Sequence, residues 1–208
     1  MIGWGGWLSP AARAAVVALV ELDAVQVGQF MLSRPIVMGP LLGLLWHSPQ
    51  NGLALGACCE LLSLDDLPVG DRLPLNATVA AGAALLLTCG PRPLPVAAAL
   101  PVGFFAAWAH KKIEGFWRSR RRELCAAAER SIREGEAPSW GCWIGKSLAQ
   151  QAAGTFALML ACVWGAGPIV GALWLRLPHS VVAGLELAWR LGPWLGLGVA
   201  FHALRVRP

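Results

Sequence analysis

Pro35-Ile36-Val37-Met38-Gly39-Pro40-Leu41-Leu42-Gly43-Leu44-Leu45-Trp46, then His47-Ser48-Pro49-Gln50-Asn51, then Gly52-Leu53-Ala54-Leu55-Gly56-Ala57-Cys58-Cys59-Glu60-Leu61-Leu62-Ser63-Leu64 is the stretch that decides the fold. The two outer runs are apolar, and as helices each would reach only about 20 Å. Neither crosses a hydrocarbon layer of about 30 Å as one straight helix. The middle run is turn-forming, so the three together make a hairpin. A backbone that enters a bilayer and returns is tolerated only where protein covers it or a wet cavity receives its polar groups. The stretch therefore predicts a helical membrane protein with a re-entrant hairpin beside a polar pathway. Glu60 is the single charge between Leu53 and Leu64 and the first candidate to face that pathway.

The remainder of the chain fits these surroundings. Of 208 residues, 56% are hydrophobic and 14% charged, and the mean hydropathy is +0.56. A soluble domain carries about 25% charged residues and needs less apolar side chain to fill one core. Further hydrophobic windows fall at 11–20, 76–89, 93–109, 148–175 and 179–204. The expected fold class is all-α, a single polytopic membrane domain over 1–208, with six or seven crossings as the ceiling at roughly 20 residues each. Gly 24 and Pro 15 suit membrane helices, where small residues allow close approach and kinks are tolerated. Met1 to Pro10 lacks a basic n-region and Ala11 to Val20 runs into Glu21 and Asp23, so the first window is expected to be retained. The cysteines at 58, 59, 89, 125, 142 and 162 form no CxxC and have no histidine at ligand spacing. They are expected to be small packing residues, with no metal, disulfide or cofactor.

Charge is segregated. Residues 110–136 hold Lys111, Lys112, Arg118, Arg120, Arg121, Arg122, Arg130 and Arg133 out of 17 basic residues, and the positive-inside rule puts this basic loop in the cytoplasm as a solvated, partly helical connector. The interspersed Glu114, Glu123, Glu129, Glu134 and Glu136 argue against nucleic-acid binding, which needs one positive face. The other acids are Glu21, Asp23, Glu60, Asp65, Asp66 and Asp71 in one third of the chain, with Glu186 apart. A carboxylate at mid-bilayer costs about 2.5–3.5 kcal/mol and so faces a polar cavity or a partner. Trp4, Trp7, Trp46 and Trp140 read as interfacial anchors. His47, His110, His179 and His202 are expected near segment ends at headgroup level.

Two segments carry a family pattern. Gly28-Gln29-Phe30-Met31-Leu32-Ser33-Arg34-Pro35-Ile36-Val37-Met38-Gly39-Pro40-Leu41-Leu42-Gly43-Leu44 resembles the QFxxSRPxVxGPLxGLL signature of the IIC membrane subunits of mannose/fructose/sorbose phosphotransferase systems. Gly56 to Leu62, Leu67-Pro68-Val69-Gly70 and Pro74-Leu75-Asn76-Ala77-Thr78 resemble that family's G-x-x-x-E-L-L, P-V-G and P-P-D-A-T elements, in order. Three departures stand out. Asn76 replaces the family's aspartate, Asp65-Asp66 are more acidic than usual, and family members continue for some tens of residues past the position of Pro208.

The resemblance implies a transport subunit, not an enzyme. It would bind and move a hexose-type sugar in a bacterial cytoplasmic membrane, in an oligomer with a IID membrane subunit, while soluble IIA and IIB proteins carry the phosphoryl group. No phosphate-cradling Gly-rich loop and no nucleophile-base pair is legible, so no catalytic residue is assigned. A neutral hexose offers only hydroxyls, so its site needs carboxylates and amides that form several hydrogen bonds at once. Glu60, Asn76 and Gln29 supply that chemistry from the segments most like the family's, with Asp66 and Gln26 behind them. Arg34 before Pro35 is expected to pair with a membrane carboxylate and hold the hairpin. Pro68, Gly70 and Pro74 are expected to interrupt helices so that backbone groups line the cavity. The alternative is a shortened, non-transporting relative that anchors or senses soluble phosphotransferase proteins.

Overall fold

The computed structural model describes residues 9–24, 26–64, 73–135, 137 and 139–205. Among them are eight α-helices and no strand: α1 (Pro10–Leu22), α2 (Pro35–Leu45), α3 (Pro49–Leu62), α4 (Ala77–Thr88), α5 (Val96–Arg133), α6 (Trp140–Ala161), α7 (Gly167–Trp174) and α8 (His179–Leu204). A π-helical turn, Cys162–Ala166, joins α6 to α7. Together they make a continuous helical run of 35 residues, Trp140–Trp174, with an 18-residue window of mean hydropathy 1.9. It is the one described run whose length and composition alone suffice to cross a membrane.

Helices α2 and α3 form the hairpin that the sequence predicts, although α3 starts at Pro49, inside the expected turn. Proline at the first position suits both helices, because it fixes a helical φ where the N–H would be unpaired anyway. Glycines let the two backbones touch: a Cβ on Gly39 would collide with the Gly52 carbonyl oxygen, and one on Gly52 with that of Gly39. His47 turns the hairpin at φ 58°.

Helix α4 forms the centre, with every residue from Thr78 to Thr88 buried. Its sequence, Ala-Thr-Val-Ala-Ala-Gly-Ala-Ala-Leu-Leu-Leu-Thr, is small enough for close packing on α1 and α5, and Gly103 of α5 lies against the Ala80 carbonyl. Helix α1 runs antiparallel to α4. Its early residue Arg13 donates to the Cys89 carbonyl at the end of α4, while its late residue Glu21 meets Asn76 at the start of α4.

Three expectations need correction. Residues 110–133 are not a loop but the continuation of α5, a helix of 38 residues reaching about 57 Å. The segment is rich in the good helix formers Ala, Glu, Lys and Arg, and Glu114–Arg118 and Arg120–Glu123 pair along it. It ends where Gly135 takes φ 78°, the usual helix stop. Trp46 is not an interfacial anchor: its ring is buried, with the Arg13 guanidinium 5.6 Å from the centroid. His110 is not at a headgroup; it is 1% exposed on the inner face of α5.

Candidate functional site

Where α1 ends and α2 and α4 begin, polar side chains converge in an otherwise apolar bundle. The 23–34 segment is shaped by Asp23, whose carboxylate accepts from the backbone N–H of Phe30 (2.7 Å) and Ser33 (3.1 Å). These bonds hold a loop in which Gln29 and Met31 adopt left-handed backbone, φ 54° and 64°. Each such residue costs of order 1–2 kcal/mol, which the carboxylate bonds help to offset. The clamp delivers Ser33 and Arg34 to the start of α2. The Ser33 carbonyl accepts from Thr78 Oγ1 at 2.6 Å, tying the loop to α4.

On one side of the convergence Arg34 Nη1 donates to Glu60 Oε1 at 2.9 Å, and Glu60 Oε2 takes a long 3.4 Å contact from the Ile36 N–H. A carboxylate near the end of α3 thus sits at the positive N-terminus of α2, and the pair closes the open end of the hairpin. On the other side Glu21, 6% exposed, is the hub of a buried cluster. Asn76 Nδ2 donates to it at 3.1 Å, Gln151 Nε2 at 3.4 Å and Thr155 Oγ1 at 3.3 Å. His110 Nε2 lies 3.1 Å from Thr155 Oγ1 and 3.6 Å from Glu21 Oε1. The hydroxyl has one proton, so a chain in which His110 donates to Thr155 and Thr155 to Glu21 satisfies all three groups. Most of these contacts exceed the usual 2.7–3.2 Å, which leaves the carboxylate open to better donors.

Between the two sides lies a cavity of about 310 Å³. Glu21, Gln26, Ser33, Arg34, Glu60, Asn76, Thr78, His110, Lys111, Glu114 and Gln151 contribute to its lining, with Pro35 and Pro74 beside them. Its size falls at the lower end of the range of about 300–1,000 Å³ typical of small-molecule pockets. The lining holds both donors and acceptors, so it can satisfy a ligand that presents only hydroxyls.

The structure brings Glu60, Asn76 and Gln26 to this cavity from α3, α4 and the 23–34 segment. Gln29 does not line it: the residue is exposed, because the turn that Asp23 holds carries it outward. Asp66, Pro68 and Gly70 lie outside the described residues. Asn76 does two things there. Its Oδ1 caps α4 by accepting from the Val79 N–H at 3.2 Å, and its amide donates to Glu21. An aspartate could cap the helix equally well but would set a second carboxylate against the first. Sequence reasoning missed Gln151, Thr155 and His110. Gln151 and Thr155 sit inside a hydrophobic window with no motif around them and His110 at the edge of the expected basic loop, and only the packing of α5 and α6 beside the end of α1 brings them to Glu21.

Fold and cavity together define a class: a polytopic α-helical membrane protein with a polar cavity at a re-entrant hairpin. The family model of the sorbose-specific IIC component of the phosphotransferase system matches residues 11–207, and the chain belongs to that family. No curated protein sequence matches it. Two solved structures share the fold. A chain described only as a membrane protein aligns with TM-score 0.77 at 18% identity, covering 95% of this chain and 80% of its own length. A chain from the cryo-EM structure of the mannose transporter ManYZ with microcin E492 aligns with TM-score 0.66 at 17% identity, covering 95% and 79%.

Proposed function

We propose that this chain is the sugar-translocating IIC subunit of a mannose/sorbose-type phosphotransferase system in a bacterial cytoplasmic membrane. In this reading it binds a hexose-type sugar and works in an oligomer with a IID membrane subunit. Soluble IIA and IIB proteins carry the phosphoryl group, so this chain moves the sugar and does not phosphorylate it.

The observation that carries the proposal is the cavity of about 310 Å³ between the Arg34–Glu60 pair and the Glu21 cluster. Glu21 and Gln26 accept from sugar hydroxyls there, while Asn76 and Gln151 donate. The under-filled coordination of Glu21 is completed when a hydroxyl enters, which makes the loaded chamber better satisfied than the empty one. Glu60 acts mainly through Arg34, keeping the hairpin end in register and presenting its remaining acceptor capacity to the ligand.

The experiment is uptake of radiolabelled hexoses by cells that express this chain with its IID partner and the soluble components. Uptake that requires this chain supports the proposal. Binding without uptake would favour the non-transporting relative, and absence of both would reject the sugar chamber. Orientation is tested separately. On a background lacking the native cysteines, Ser119→Cys and Ser131→Cys on the C-terminal half of α5 should resist an impermeant thiol reagent in intact cells and react after permeabilisation.

A further inference from the structure

Helix α8 carries two charges that nothing else in the described fold neutralises. At 26 residues it reaches about 39 Å, enough to pass through a hydrocarbon layer of about 30 Å. Glu186 and Arg190 interrupt its apolar sequence. Both are exposed, and neither has an ion-pair or hydrogen-bond partner among the described residues. They stand one turn apart on the helix, yet they do not pair with each other. Arg190 lies about 17 Å along α8 from its start and about 21 Å from its end. That is too deep for its guanidinium to snorkel to either headgroup layer. A charged side chain at such depth is tolerated with a partner or in a wet cavity, and the chamber is lined by other residues.

The charges also avoid the side of α8 that docks on the body. Gly192 faces Cys58 and Gly196 faces Leu61, whereas Glu186 and Arg190 lie about a third of a turn around the helix from those glycines. Leu197 and Phe201 continue their row, 41% and 75% exposed. Lipid suits the leucine and the phenylalanine but not the ions. The flank calls for a membrane segment that offers a carboxylate to Arg190 and a cation to Glu186.

A second copy of this chain offers both. Copies in one membrane share an orientation, so a two-fold axis between them runs along the bilayer normal and sets two α8 helices side by side and parallel. Each Glu186 then stands about 6 Å in height from the partner's Arg190, an offset that the long arginine side chain spans. The two ion pairs are reciprocal, and out of water they attract far more strongly than at a protein surface. We infer that the Glu186–Arg190 flank of α8 is a contact between two copies of this chain, held by reciprocal ion pairs inside the membrane. The inference goes beyond the sugar-transport reading and uses no residue of the chamber.

The test uses the full chain in its membrane, on a background lacking the native cysteines, with disulfide-linked dimer read on non-reducing gels after mild oxidation. Leu197→Cys lies on the charged flank, and Leu195→Cys points to nearly the opposite side of the helix. Leu197→Cys should give at least about tenfold more dimer than Leu195→Cys. Added to Leu197→Cys, Glu186→Arg and Arg190→Glu should each lower the dimer yield at least about fivefold, and the two reversals together should restore it to within about twofold. The comparison of Leu197→Cys with Leu195→Cys leaves both charges in place, so it decides even where a single reversal fails to insert. Equal dimer at both positions, or none at either, would overturn the inference, as would a double reversal that inserts and stays monomeric. Loss of the Leu197→Cys dimer in cells that also express a IID subunit would assign the flank to that subunit and likewise overturn it.

Discussion

Helices α4 and α8 are both apolar, yet they occupy opposite situations. In α4 every residue from Thr78 to Thr88 is buried, whereas α8, with 26 residues, buries only Gly192 and Gly196. Val181, Leu187, Leu191, Trp194, Leu195, Phe201 and Leu204 of α8 all point outward. In a membrane, apolarity does not drive a helix inward, because lipid is as apolar as leucine. Side-chain size sorts the two: the Ala, Gly and Thr of α4 let neighbouring backbones close in, while the bulky residues of α8 hold the surroundings off. Even α8 touches the body through its glycines, with Gly192 facing Cys58 and Gly196 facing Leu61. Small residues build the body that holds the chamber, and large ones form its outer face.

The sharpest way to break this comparison is a matched pair of glycine substitutions. Gly52→Ala forces a Cβ into the Gly39 carbonyl inside the hairpin, whereas Gly198→Ala on α8 meets nothing within 4 Å. The first should destabilise by about 2–3 kcal/mol, the usual cost of overpacking. The second should be neutral or stabilising by up to about 1 kcal/mol, the gain from removing a helical glycine. Thermal unfolding in detergent, followed by the fraction that stays monodisperse, decides. Equal effects would refute the division into a size-selected body and a free outer face.

A second test asks whether α4 carries the proposed sugar contact as well as packing. Asn76→Ala removes both the helix cap and the donor to Glu21. It should cost about 1–3 kcal/mol of stability and lower sugar affinity about tenfold or more. Asn76→Asp keeps the cap but sets two carboxylates together, so its stability should fall less than that of Asn76→Ala while sugar binding still weakens. A third test separates the two sides of the chamber. Glu60→Gln weakens the pair with Arg34 and should reduce affinity severalfold, less than Glu21→Gln, which replaces one of the hub's two acceptor oxygens with a donor. The smallest effect is expected at Gln29→Ala, below about twofold, because the residue is exposed and off the cavity. Titration of sugar into purified protein ranks all five variants.

Much of the hairpin was legible. Short apolar arms, a Pro-containing turn and glycines at 39, 43, 52 and 56 leave a membrane chain few ways to satisfy its backbone. Glu60 stood out because a lone carboxylate in an apolar run needs a partner, and Arg34 is that partner at 2.9 Å. Residues 110–133 were misjudged because charge density reads as solvated connector, while helix propensity and one-turn ion pairs carry α5 straight through.

What the sequence by itself determined is the kind of solvent this chain lives in, the hairpin, and the family pattern, because apolar runs, proline and glycine spacing act locally along the backbone. Only the tertiary structure decided that Glu21 as well as Glu60 lines the chamber, that Gln151 and His110 line it with Thr155 bonded to Glu21, and that Gln29 does not. These residues lie up to 134 positions apart. A buried carboxylate can collect its donors from any helix that packs beside it, so the set is a consequence of how α1, α4, α5 and α6 meet and leaves no periodicity in the chain to read.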